Sequence, residues 1–149
     1  MATVKIIGHR GAMAYEVENS LGSFEKAIAL GCDMVELDVR TTVNGEIIAL
    51  HDEDVDRTSN GAGKVSDMSL KEIKAFRLKN QEQIPTLKEV LEKMNGRCQV
   101  NIHIKDANAV LRSCKIVNEM KMWDEVLFTA FHGPWLIDIK SAYPRARVA

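Results

Sequence analysis

Apolar positions fall along this chain in two rhythms. Runs with a period of two or without a break lie at Val4–His9, Met34–Arg40, Glu46–His51, Gln99–Lys105 and Val126–Phe131, and they predict strands. Between them the period lengthens to that of a helix. Leu21, Phe24, Ala27 and Ile28 share one face of a helix from Leu21 to Leu30, with Gly31 as its stop. Ser69 with Glu72 and Thr86 with Glu89 have the spacing of a capping box. They open a short helix carrying Leu70, Ile73 and Phe76, and a longer one carrying Leu87, Val90, Leu91 and Met94 that ends at Asn95-Gly96. Val110, Leu111, Cys114 and Val117 predict the inward face of a further helix, and Pro134 suits the first turn of another. The final "ARVA" reads as the opening of a sixth strand. Asn44-Gly45 is a turn dipeptide, and the link it makes between the second and third strands is too short for a helical crossover. Asp54 to Lys64, rich in Gly, Asn and Ser, predicts a loop.

Strands alternating with helices imply an α/β fold with a mainly parallel sheet. Two strands decide between an open sheet and a barrel. Val35, Leu37 and Val39 alternate with Glu36, Asp38 and Arg40, and Val100, Ile102 and Ile104 alternate with Asn101, His103 and Lys105. An open sheet buried on both faces takes strands that are apolar throughout. A barrel covers its outside with helices and gathers functional groups inside its C-terminal mouth. The pattern therefore predicts a TIM (β/α)8 barrel.

Composition narrows the function classes. With 46% hydrophobic and 28% charged residues in 149, the chain reads as one globular unit, residues 1–149. A net charge of -1 and the lack of a basic cluster give no footprint for nucleic acid. No apolar run reaches the roughly 18 residues of a membrane span, so no stable membrane insertion is expected. The start, "MATVKIIGHRG", has too short an apolar core for a signal peptide, which makes a cytoplasmic location the expectation. Cys32, Cys98 and Cys114 form neither an even disulfide framework nor a C-x-x-C pair, and read as small buried hydrophobes.

The candidate chemistry sits at the strand ends: His9 and Arg10, Glu36 and Asp38, His51, His103 and Lys105. Glu36 and Asp38 lie two apart, so both carboxylates can reach one hard cation such as Mg²⁺ or Ca²⁺. Arg10 and Lys105 can hold an anion, the arginine through a fork that matches phosphate oxygens. His9 and His51 titrate near neutrality and can exchange protons with a nucleophile and a leaving group. Each piece has a plainer reading. The carboxylates can pair with Arg40 or Lys105, and His51-Asp52 can cap a turn. His132 and Glu53 to Arg57 read as loop residues. One shared site, suited to phosphodiester hydrolysis, accounts for all the strand-end groups together, because buried charge is costly unless paired or metal-bound.

The motifs "HRG", "ENS" followed by Ser23-Phe24, "VELDV", the Asn-Gly turn, "HDEDVDRTSNGAGKV" and "IPTLKEVL" resemble, in order and spacing, the glycerophosphodiester phosphodiesterase family, from about Ile6 to at least Lys105. The resemblance implies a TIM barrel that cleaves glycerophosphodiesters to glycerol 3-phosphate and an alcohol. It assigns His9 and His51 as acid and base, Glu36 and Asp38 as ligands of a divalent cation, and Arg10 as a phosphate contact. The route it implies is attack by the glycerol hydroxyl through a cyclic phosphate.

Two departures stand out. The family's fourth strand reads "NIEIK", whose glutamate is the third acidic ligand; here it is "NIHIK", so His103 occupies the ligand position. An imidazole shifts the preference from Mg²⁺ or Ca²⁺ toward Mn²⁺ or Zn²⁺, or else leaves the site weakened. The second departure is length: five strands and a stub predict the N-terminal part of a barrel with its C-terminal strands missing. Sheet edges left open in that way predict self-association. The alternative readings are a related barrel that cleaves lipid headgroups in the manner of a phospholipase D, and a non-catalytic phosphodiester-binding barrel with a decayed metal site.

Overall fold

The structure is a computed structural model that describes residues 4–149; residues 1–3 of the expected unit lie outside the described residues. The elements run β1 (Ile7–Gly8), α1 (Leu21–Ala29), β2 (Met34–Thr41), β3 (Ile47–Ala49), α2 (Leu70–Ala75), α3 (Leu87–Met94), β4 (Gln99–Ile104), α4 (Ala109–Met120), β5 (Val126–Ala130), α5 (Gly133–Ala142) and β6 (Arg147–Val148), with a 3-10 turn at Val65–Asp67. Helix starts are set by side chains that take up free backbone N–H groups. Ser20 accepts from the Ser23 amide at the head of α1, and both expected capping boxes form at α2 and α3. Gly31 follows α1 with a left-handed φ of 83°, which explains why the helix stops there.

β1, β2, β4, β5 and β6 lie side by side in that order, all parallel, as successive staves of a partial (β/α)8 barrel. β2 pairs with β4 from Met34–Gln99 to Val39–Ile104, and β4 pairs with β5 from Val100–Val126 to Ile104–Ala130. This register sets Asp38, His103 and Thr129 abreast on three neighbouring strands. Period two does the rest. Val35, Leu37, Val39, Val100, Ile102 and Ile104 are buried in a core with Phe24, Leu87, Leu91, Cys114 and Val117 of the helices. Each large side chain buried there contributes about 1.5–3 kcal/mol. Glu36, Asp38 and His103 are thereby left facing the barrel interior.

β3 departs from the parallel scheme. It pairs antiparallel with β2, Val39 with Ala49 through Thr41 with Ile47. Val39 is partnered by Ile104 on one edge and Ala49 on the other, so β3 occupies the edge of β2 above the short β1. The Asn44-Gly45 link thus closes a hairpin, with Gly45 at φ 86°. β3 also divides its side chains between two cores. Ile47 and Ala49 join the main one, whereas Ile48 packs with Leu50, Val55, Val65, Ile73, Leu78 and Ile84 in a second core under the segment 53–86.

Three sequence expectations shift. β1 is two residues, not Val4–His9, and Val4, Ile6 and Ile7 are exposed because beyond β2 the described residues offer them little cover. Leu111 is half exposed rather than inward-facing, since it sits one position off the stripe formed by Val110, Cys114 and Val117. Phe131 falls past the end of β5 and is 91% exposed.

Candidate active site

The first turn after β1 is fixed by its backbone. Arg10 and Gly11 both take positive φ, at 53° and 78°, and Gly11 donates to the carbonyls of Gly8 and Glu36. A side chain at Gly11 would meet Ser23 Oγ at 2.3 Å, so only glycine fits. The turn brings the Arg10 amide to Glu36 Oε2 at 2.8 Å and His9 Nε2 to the same oxygen at 3.9 Å. Arg10 reaches over to Asp38, with Nε 3.2 Å from Oδ2, and to Glu18, with Nη1 3.0 Å from Oε1. The Asp38 contact is ionic rather than a well-aimed hydrogen bond, because Nε is left without an acceptor in line with its N–H.

Asp38 is held from its own backbone as well. Asn19 donates from Nδ2 to Asp38 Oδ2 at 3.1 Å and accepts from the Asp38 amide at 3.2 Å. Lys105 Nζ stands 3.9 Å from Asp38 Oδ1 and 5.6 Å from the centre of the Phe131 ring. Asp38 is thus well partnered, and Glu36 less so. Burial, at 8% exposure, and then the neighbouring Asp38 charge push the Glu36 carboxyl up to about 7, so a cation bound beside it would favour loss of its proton.

His51 arrives from the opposite direction to the other strand-end groups, off the antiparallel β3. The Leu50 amide donates to the Asp38 carbonyl at 3.0 Å, which sets Leu50 opposite Asp38 and His51 one residue beyond. Its Nδ1 lies 2.7 Å from Asp52 Oδ1, which leaves Nε2 for other chemistry. His103 is equally oriented. Thr129 Oγ1 donates to Asn101 Oδ1 at 2.8 Å, an atom that can only accept, and therefore accepts from His103 Nδ1 at 3.0 Å. The imidazole thus carries its hydrogen on Nδ1, and its Nε2 lone pair is buried without a partner. Burial lowers the pKa of His103, which favours the uncharged ring.

His9, Arg10, Glu36, Asp38, His51, His103 and Lys105, together with Phe131, line one cavity of about 400 Å³. Every residue that the sequence singled out for the site is brought to it. Among the described residues, however, no three His, Cys, Asp or Glu side chains are drawn together tightly enough to form a ready metal-ligand set. The donor chemistry still fits a divalent cation: two carboxylates, one of them poorly neutralised by protein groups, and an unused imidazole lone pair.

The Glycerophosphoryl diester phosphodiesterase family model matches residues 9–140. The chain belongs to this family. Among its relatives, the glycerophosphodiester phosphodiesterase of Caldanaerobacter subterraneus subsp. tengcongensis is 35% identical, with 96% of this chain covering 64% of that protein. That of Bacillus altitudinis is 34% identical, over 97% and 65% of the two chains. Of solved structures, the glycerophosphodiester phosphodiesterase from Agrobacterium tumefaciens superposes with a TM-score of 0.91 at 30% identity, covering 98% of this chain and 66% of that one. An Oleispira antarctica phosphodiesterase in complex with the product sn-glycerol-3-phosphate gives 0.91 at 26%, covering 97% and 64%. The chain thus spans slightly under two thirds of the length of these family members.

Within this family site, sequence reasoning passed over Glu18, Asn19, Asp52, Arg57, Asn101 and Thr129. Glu18 and Asn19 stand in the "ENS" motif, and a polar pair directly before a helix cap is ambiguous by itself. Arg57 lies in the loop that the sequence predicts, yet its guanidinium bonds to Glu18 and Asp52. Cys98 and Cys114 are buried and Cys32 is half-buried, all three with free thiols.

Proposed function

We propose that this chain is the N-terminal part of a (β/α)8-barrel phosphodiesterase that cleaves glycerophosphodiesters to sn-glycerol 3-phosphate and an alcohol. The observation that carries the reading is the single cavity lined by three imidazoles, two cations and two carboxylates. Arg10 and Lys105 bind the phosphoryl oxygens of the substrate. His51, whose Nδ1–H is directed at Asp52, presents Nε2 as the base that takes a proton from the attacking glycerol hydroxyl. That oxygen bonds to phosphorus, the ester bond to the alcohol breaks, and His9 delivers a proton to the departing alkoxide. Water then opens the cyclic phosphate with the two imidazoles in reversed roles. Glu36 and Asp38, with His103 Nε2 as third donor, would hold a divalent cation that stabilises negative charge on the phosphoryl oxygens. Arg10 adds to that stabilisation from a position fixed by Glu18 and Asp38.

We place the protein in a reducing compartment such as the cytoplasm, which suits three free thiols. No helix among the described residues is long and apolar enough to cross a membrane. The test is release of sn-glycerol 3-phosphate from glycerophosphocholine by the intact protein, with and without EDTA. His9→Asn and His51→Asn are each expected to lower the rate by about 10²–10⁴-fold. Binding of the diester with no release at all would refute hydrolysis and favour a non-catalytic binding barrel.

A further inference from the structure

One group next to the cavity takes no part in the reaction as described, yet it touches both ends of the machinery. The Arg57 guanidinium meets Asp52 at 2.6 Å (Nε to Oδ2) and 3.2 Å (Nη2 to Oδ1), and Glu18 at 2.9 Å (Nη1 to Oε2) and 2.7 Å (Nη2 to Oε1). It grips two carboxylates at once, each by two oxygens. Each carboxylate has a second task. Asp52 Oδ1 receives His51 Nδ1 at 2.7 Å, and Glu18 Oε1 receives Arg10 Nη1 at 3.0 Å. A continuous chain of contacts therefore runs from the proposed base through Asp52, Arg57 and Glu18 to the phosphate anchor.

We infer that Arg57 is a positioning residue, which fixes the orientation of His51 through Asp52 and that of Arg10 through Glu18. Only an arginine serves, because its planar fork offers donors along two edges, whereas a lysine ammonium satisfies one carboxylate and leaves the other facing it. Without the cation, Asp52 and Glu18 would confront each other as like charges and turn away. Their charge state agrees with this role. The Arg57 contact holds the Asp52 carboxyl down to about 2 and lowers that of Glu18 as well.

The backbone beneath Arg57 is built to hold it. Val55 is buried in the second core, the Ser59 amide donates to the Val55 carbonyl, and the Lys79 amide donates to the Thr58 carbonyl. The segment 53–86 thus delivers one side chain to the barrel mouth from a fixed base. Arg57 is not among the residues that line the cavity, whereas His51 and Arg10 are, which separates its role from theirs.

The inference rests on the reading of His51 and Arg10 given above, and the test keeps the two apart. In the intact protein, ¹⁵N imidazole NMR reports the tautomer of His51 directly, whatever the activity. The wild type is expected to show the Nδ1–H form, and Arg57→Gln a mixture of both tautomers. In the glycerophosphocholine assay, Arg57→Gln should lose about 10- to 100-fold in kcat, with a smaller change in KM, as expected for misplaced catalytic groups. Arg57→Lys, which preserves charge and bulk, should recover only part of the loss; should the glutamine variant fail to fold, the lysine variant carries the same two measurements. Unchanged His51 tautomer and unchanged kcat in a folded Arg57 variant would overturn the inference while leaving the hydrolase reading intact. A wild type without sn-glycerol 3-phosphate release would overturn that reading, and the NMR result would still decide the role of Arg57.

Discussion

Replacing Glu36 by Gln should stabilise the protein at alkaline pH and abolish its activity. In the folded state the Glu36 carboxyl is pushed up to about 7 by burial and by Asp38, against 4.5 for an unperturbed glutamate. Folding therefore favours the protonated form. Below pH 4.5 both states keep the proton and the group costs nothing. As pH rises toward 7 the unfolded chain releases its proton first, and stability falls until the folded carboxyl ionises too. The difference of about 2.5 units, at about 1.36 kcal/mol each, corresponds to about 3 kcal/mol above pH 7. Glutamine avoids this penalty at every pH, and its side-chain oxygen can still accept from the Arg10 amide. Urea unfolding of wild type and Glu36→Gln in EDTA, followed through Trp123 and Trp135 fluorescence, measures the difference. The variant should be more stable by up to about 3 kcal/mol at pH 8 and by about 1 kcal/mol or less at pH 5. A divalent cation should restore stability to the wild type alone. An equal difference at both pH values would refute the argument, because it would mean that Glu36 is not held against its own ionisation.

The residue at position 103 should set the metal preference: His103→Glu supplies a carboxylate in place of a neutral nitrogen, so Mg²⁺ or Ca²⁺ should bind more tightly in calorimetric titration and raise activity. Unchanged titrations would mean that position 103 is not a ligand. Gly11→Ala should lower stability by about 1–3 kcal/mol in thermal melts, since the residue sits at φ 78° against Ser23. The 149-residue chain expressed alone should self-associate in light scattering, because among the described residues β1 and β6 have unpaired edges and Ile6, Ile7, Phe131 and Ile137 are exposed. A stable monomer would show that those edges are protected.

Much of this architecture could be read from periodicity because each signal had one physical cause. Ser69/Glu72 and Thr86/Glu89 marked helix starts correctly since a capping box satisfies local donors without help from the rest of the fold. The alternation in β2 and β4 placed Glu36, Asp38 and His103 on one face for an equally local reason. β3 was harder, because a short link permits a hairpin without stating which edge of β2 is vacant; the shortness of β1 decides that, and it is a tertiary fact. Arg57, Thr129 and Asn101 were hidden for a similar reason. A loop arginine or a strand threonine has no pattern of its own, and its role exists only once Asp52 or His103 is beside it. Phe131 carried the opposite signal, an apolar residue that the sequence assigns to a strand and the fold leaves open at the cavity rim.

The split allegiance of β3 bears on how such a protein can diversify. Ile48 anchors the segment 53–86 in a core of its own, while Ile47 and Ala49, its immediate neighbours, belong to the barrel wall. Substitutions within the segment are therefore felt first by the segment, much as a repair to a porch leaves the house standing. That lobe meets the barrel through β3, through the Arg57 guanidinium and through hydrogen bonds such as those from the Val43 amide to the Met68 carbonyl and from the Gly22 amide to Glu82. Such an arrangement lets natural variation explore new rims for the cavity while the wall beneath stays constant.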